Sequence, residues 1–274
     1  MRQHIGRLIV KFRKRYVNTI KAEDLEKYIA NDVGGAPRTR LNHITTLAAF
    51  GHWMRAKKKW LPFAVPTAFE EVERPKCRTK DKEIYSPEQM MRLLVFTPMD
   101  MVPFMTTGAF GGMRAAERMR LEDEHWQPDN GQFALSSGIT KTQRRRIVEA
   151  QPNLKDWIDL AGHITPCKNA YDKTPVISKA ARVPWKYNAL RSSFASYHLQ
   201  KFKNEALTAM LDGHSVQELN TSYKGLTGVT DRTAEEWFSI TPESVIEFAA
   251  EKGLPIPSWA EDNEKSPSTI ADTS

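Results

Sequence analysis

Apolar residues recur at three- and four-residue intervals along most of the chain, and that period predicts a mainly helical protein. The clearest run spans 38–59, where Leu41, Ile44, Leu47, Ala48, Phe50 and Met54 share one face. Leu8, Ile9, Phe12 and Val17 predict a helix over 1–16. Early acids and a Gly34-Gly35 break frame another over 22–32. Ser86-Pro87-Glu88-Gln89 supplies a cap, a first-turn proline and an early acid for a helix that continues through 95. An apolar segment at 99–110 ends at Gly111-Gly112, after which a helix is expected over 113–121. Helical spacing returns at 153–161, in three successive segments between 188 and 226, and at 231–238 and 243–252. Strand signals are confined to 132–135 and 145–148, which flank Ser136-Ser137-Gly138 and a basic turn. Residues 162–187, with Gly162, Pro166, Pro175 and Pro184, predict loop with a short helix. The fold class expected is mainly α with a small antiparallel β-sheet or hairpin (α+β).

Prolines at 62, 66 and 75 and the charged run 76–82 give 62–85 the composition of an interdomain connection. The expected organisation is a helical domain over 1–75, a linker over 76–85, a second domain over 86–257, and a disordered acidic, Ser/Thr-rich tail over 258–274. A chain of 274 residues is long enough for two such cores.

Charge sharpens this division. Residues 1–75 carry 15 Lys and Arg against 7 Asp and Glu, an excess of eight, while the remainder is close to neutral. Such an asymmetry suits either a grip on nucleic acid, through counterion release, or simple solubility. Arg38, Arg40, His43, Arg55, Lys57 and Lys58 fall on the polar side of the 38–59 helix and are the candidate DNA contacts of this half. The two cysteines, Cys77 and Cys167, support neither a disulfide framework nor a zinc site and fit a reducing cytosol. No apolar run approaches 18 residues and no signal core opens the chain. His-Glu-x-x-His, Gly-x-x-x-x-Gly-Lys and Gly-x-Ser-x-Gly are absent, so neither metal nor cofactor is expected.

The polar residues of the second half remain to be explained. Arg114 follows a double glycine at an expected helix start, where backbone amides and a guanidinium make an anion site. With Glu117 three residues on, the same pair also fits a surface ion pair. Lys141 lies at the tip of the expected hairpin, with Arg144, Arg145 and Arg146 behind it. Arg191, three residues after Asn188, sits in an otherwise apolar helix and needs a carboxylate or a phosphate as partner. His214 precedes Ser215 and Glu218, a capping-box spacing, and Tyr223 follows nine residues later. Tyr223 is either a half-buried core residue or a nucleophile.

In order, Arg114, Lys141, Asn188-x-x-Arg191, Gly213-His214 and Tyr223 resemble the active-site series of the tyrosine recombinase (phage integrase) family. The LEDEHW segment after Glu117, the LRSSFASYHL helix and the interval of nine from His214 to Tyr223 extend the likeness, and 22–60 resemble the family's helical core-binding domain. The resemblance implies a recombinase or integrase that cleaves and rejoins double-stranded DNA. It does so through a 3′-phosphotyrosyl intermediate at Tyr223, without metal or ATP. In the implied roles Arg114 and Arg191 hold the phosphate, Lys141 protonates the leaving 5′-oxygen, His214 donates to a phosphate oxygen, and Glu117 orients Arg114. Arg144 and Arg145 are implied DNA contacts. Asn188 stands where the family usually has histidine, and Ser192 where histidine is frequent. Asn can hydrogen-bond but cannot take a proton at neutral pH. The resemblance further implies a homotetramer on DNA, with 243–252 the candidate for a helix passed to a neighbour, and a cytoplasmic, nucleoid-associated location away from membranes. Two alternatives stand beside it: cleavage and religation like a type IB topoisomerase, and a DNA-binding protein with a degraded catalytic site.

Overall fold

The structure, a computed structural model, describes residues 2–62, 64–77, 82–140, 145–213, 215–223 and 227–263, with backbone alone at 221–223 and 262–263. The chain divides into two compact units, Met1–Lys80 and Asp81–Ser274.

The first unit is helical. It comprises α1 (Arg2–Phe12), α2 (Ala22–Tyr28), α3 (Pro37–Ala56) and α4 (Ala68–Glu71). One π turn, Ile29–Val33, continues α2 to Gly34, whose φ of +57° ends it. Leu8, Leu25, Tyr28, Ile44, Leu47, Met54, Phe69 and Val72 form the core. A methyl at Gly51 would lie 2.3 Å from Thr67 Oγ1 and 2.8 Å from Phe69 Cβ, so that glycine lets α4 lie against α3. Residues 67–72 therefore belong to this core, although proline content gave 62–85 the look of a connection.

The second unit begins its core at Tyr85, within the expected linker. Tyr85 is fully buried, its amide donates to Ser193 Oγ at 2.8 Å, and its hydroxyl accepts from the Lys186 amide at 2.8 Å. Then follow α5 (Pro87–Val95), a 3-10 turn (Met99–Met101), α6 (Val102–Ala109) and α7 (Ala115–Arg118). A three-stranded antiparallel sheet comes next, in the order β1 (Trp126–Gln127), β2 (Gln132–Leu135), β3 (Arg146–Glu149). The remaining helices are α8 (Pro152–Ala161), α9 (Ala170–Ala181), α10 (Ala189–Phe202), α11 (Glu205–Asp212), α12 (Val216–Tyr223), α13 (Asp231–Phe238), α14 (Pro242–Glu251) and α15 (Ser258–Asn263). The mainly α class with a small antiparallel sheet is what is observed.

Two helices make the centre. Every residue of α6 is buried, as is α10 from Ala189 to His198, and the two pack on each other. Three expectations need correction. The helix expected over 113–121 is the single turn α7. The segment 162–187, expected as loop with a short helix, is helical over the twelve residues of α9, with Pro175 inside it. The tail expected to be disordered from 258 starts as α15. There Trp259 is fully buried, meets Trp157 edge-on at 5.1 Å and donates from Nε1 to the Leu94 carbonyl at 3.1 Å. Helix α14, the candidate for exchange with a neighbour, packs here on α5 and α8 and buries Val245, Phe248 and Ala249.

Candidate active site

The double glycine works differently from the anion-binding helix start expected of it. A one-turn helix offers no row of free amides, and the Arg114 amide is taken by Glu117 Oε2 at 2.9 Å. Gly112, at φ +64°, lets the chain pass the Phe194 ring, which an added methyl would approach to 2.4 Å. What this segment offers an anion is thus the guanidinium of Arg114 rather than a row of backbone amides.

Three arginines meet two carboxylates here. Arg114 is one-fifth exposed; its Nη1 donates to Glu117 Oε1 at 3.1 Å and its Nη2 to the Gly213 carbonyl at 2.5 Å. Arg191, buried on α10, donates from Nη1 to the Gly112 carbonyl at 2.7 Å, and its Nη2 lies 4.0 Å from Asp212 Oδ1. Arg146 donates to Glu117 Oε2 at 2.8 Å and to the Asp212 carbonyl at 2.7 Å. Glu117 and Asp212 are both fully buried. Arg114 and Arg191, 77 residues apart in sequence, therefore reach adjacent residues at the end of α11, Gly213 and Asp212 respectively. Gly213, at φ +69° and ψ 38°, closes α11 in the left-handed conformation that glycine tolerates best.

Burial governs the titration of the neighbours. It pulls the Arg146 guanidinium below its ordinary value, with Glu117 opposing. Arg118, fully buried against the Phe104 ring and bonded to the Phe104 carbonyl at 2.7 Å, is drawn down to about 9 for the same reason. His198 bonds Thr208 Oγ1 at 2.7 Å and is pushed by burial to about 4, so it is neutral at pH 7.

Asn188 is exposed at the start of α10, with a left-handed backbone at φ +59° and no side-chain cap bond. It stands one turn before Arg191, on the solvent side. Tyr223 is the last residue of α12, a helix held by the buried Leu219 and by an Asn220–Glu205 hydrogen bond of 2.7 Å. Lys141, Arg144 and His214 lie outside the described residues. Arg145 is exposed immediately before β3.

In the first unit, Arg38, Lys57 and Lys58 are exposed. Arg40 is half-buried and bonds the Gly35 carbonyl at 3.1 Å. Arg55 pairs with Glu70 at 2.9 Å. His43 must be withdrawn as a surface contact: it is buried, its ring stacks on His4 at 3.7 Å, and burial holds its pKa below the usual value.

Sequence reasoning missed the roles of Arg146 and Asp212. Register supplies the signal for the first. Leu135 faces Arg146 across the sheet as Phe133 faces Val148, and residues paired in this way share a face. Phe133, Leu135 and Val148 are buried, so Arg146 points inward while Ile147, 53% exposed, points out. For Asp212 the signal was a lone acid at the end of an apolar helix.

Comparison with known folds agrees with this architecture. No family model matches the sequence, and no curated protein matches it. Among solved structures it is similar to the Tn1549 transposon integrase in complex with transposon right end DNA: 14% identity, 87% of this chain, 93% of that one, TM-score 0.61. It is also similar to a lambda integrase dimer bound to a COC′ core site (11% identity, 82% and 88% coverage, TM-score 0.61). A third likeness is to the XerH site-specific recombinase bound to palindromic difH substrate (14%, 91% and 78%, TM-score 0.60). The fold is that of the tyrosine recombinases. Among the described residues no helix is long and apolar enough to cross a membrane, and no group of three or more His, Cys, Asp or Glu is arranged to hold a metal ion.

Proposed function

We propose that the protein is a site-specific DNA recombinase that cuts and rejoins duplex DNA through a phosphotyrosyl bond. The observation that carries this reading is the convergence of the Arg114 and Arg191 guanidiniums on the Asp212–Gly213 turn, three residues before the helix that ends in Tyr223. Two guanidiniums brought to one place hold a phosphodiester by its non-bridging oxygens and stabilise the charge that grows there in the transition state. The Tyr223 hydroxyl, with an ordinary pKa of about 10, loses its proton and attacks phosphorus. The new P–O bond forms as the bond to the 5′-oxygen breaks, and Lys141 gives that oxygen its proton. His214 donates to a phosphate oxygen. Asn188 is an amide and orients rather than abstracts. The displaced DNA end leaves as a 5′-hydroxyl, and attack by another 5′-hydroxyl reverses the sequence, so rejoining needs no nucleotide.

The first 75 residues would grip the same duplex through Arg38, Lys57 and Lys58, and Arg145 would meet it from the sheet. Strand exchange needs two sites held together, and a tetramer of this chain on DNA satisfies that need.

The test is covalent trapping. A nicked suicide substrate built on a site obtained by random-sequence selection should become linked to wild-type protein. Tyr223→Phe should bind the same DNA and form no adduct. An adduct from Tyr223→Phe would remove Tyr223 as the nucleophile.

A further inference from the structure

Strand β3 breaks the usual rule of its own sheet, turning an arginine inward, its side chain 11% exposed, and an isoleucine outward. Burying a guanidinium costs free energy unless its donors are met, so Arg146 needs a reason to be inside. Its partners supply one. One nitrogen meets the carboxylate that orients Arg114, and another meets the carbonyl of Asp212, the last residue of α11. Arg114 meets the other oxygen of that carboxylate and the next carbonyl along, that of Gly213. The two arginines thus form parallel links from Glu117 to successive carbonyls at the end of α11. That helix end has no later turn to satisfy those carbonyls.

We propose that Arg146 is a positioning residue, joining strand β3 to Glu117 and to the Asp212 carbonyl so that Arg114 and the turn ending at Gly213 are held in one register. The assignment rests on the recombinase reading for its catalytic consequence and on the geometry alone for its structural one. With Arg146 gone, Glu117 Oε2 keeps only the Arg114 amide, so the carboxylate can turn, and the end of α11 loses one of the two guanidinium bonds that close it. Arg146 lies five residues after Lys141, so the same link fixes the root of the strand that follows the lysine.

Two measurements test this on the full chain. Amide hydrogen exchange without DNA should show 205–213 exchanging faster in Arg146→Met than in wild type, with 102–109 unchanged. Single-turnover cleavage by Arg146→Met should fall by about a hundredfold, the scale of an ångström-sized misplacement, with DNA binding within about twofold. Arg146→Lys, which keeps the charge but only one contact, should recover part of the rate and covers the case in which the methionine variant folds poorly. Because the two residues act through one contact, Arg146→Met with Glu117→Gln should be no slower than the slower single variant. Unchanged exchange at 205–213, or full additivity of the two substitutions, overturns the assignment. Wild-type protein that forms no adduct counts against the recombinase reading, and the exchange measurement then decides the role of Arg146 by itself.

Discussion

Gly213→Ala is the smallest change that strikes the centre of this site. At φ +69° and ψ 38° an alanine pays the left-handed penalty, about 1–2 kcal/mol. Its methyl would also lie 2.6 Å from Arg146 Nη1 and 3.1 Å from Arg114 Nη1, so a guanidinium must leave its carbonyl. Losing a hydrogen bond from a charged, buried donor adds about 1.5–3 kcal/mol. Gly131 is an internal control. Its backbone is nearly the same, φ +59° and ψ 41°, but the only obstacle is the end of Lys155, an exposed side chain free to swing away. Denaturant melts of the two alanine variants should therefore differ by about 1.5–3 kcal/mol, with Gly213→Ala the weaker. Pairing Gly213→Ala with Arg146→Met should recover part of the loss, since the obstructed group is gone. Equal destabilisation at both glycines would mean that the guanidiniums do not pack against this turn.

Two further outcomes follow from burial. Trp259→Ala should cost about 3–5 kcal/mol in a denaturant melt; a loss below about 1 kcal/mol would mean that α15 is undocked in solution. His198, pushed to about 4, is neutral when folded. Its stabilising contribution is complete above the unfolded value of about 6.5 and falls away as pH drops from there through about 4. The loss is about 2–3 kcal/mol at pH 4.5. Melts of wild type and His198→Gln at pH 7 and 4.5 should show that extra loss in wild type only, and equal losses would refute it.

Helices α3, α5, α8 and α10 to α14 are legible as apolar periodicity because each buries one face or all of itself. What escaped is instructive. In α9 the buried positions Ala170, Thr174, Ile177 and Ala181 keep helical spacing, but they are mostly small, and Pro175 hides them. Burial of that face outweighs one missing amide donor. In α15 a single tryptophan among acids anchors the helix, and composition averages it away. The 113–121 segment has helix-forming residues throughout, yet only one turn forms, with Arg118 drawn inward to the Phe104 carbonyl. Polar residues of the site were legible as violations of apolar faces: Arg191 within α10, and, had the sheet register been known, Arg146 within β3. His43 shows the converse, a polar letter on a helix that is in fact core.

Charge counted along the chain located the basic excess in the first 75 residues, whereas the phosphate site proposed here lies in the near-neutral remainder. The resolution is that net charge sums over solvated groups, while a site responds to the few charges it buries. Among the described residues, Arg114, Arg118, Arg146 and Arg191 set four guanidiniums against the two carboxylates of Glu117 and Asp212, an excess of two positive charges. In surroundings of low dielectric these interact far more strongly than surface lysines do. A phosphodiester brings one negative charge to that cluster, and charge develops further as the fifth oxygen bond forms. The cluster is thus better matched to the transition state than to the bound substrate. On the proposed function, the basic face of the first unit would have the different task of holding the duplex, which diffuse, salt-sensitive charge does well.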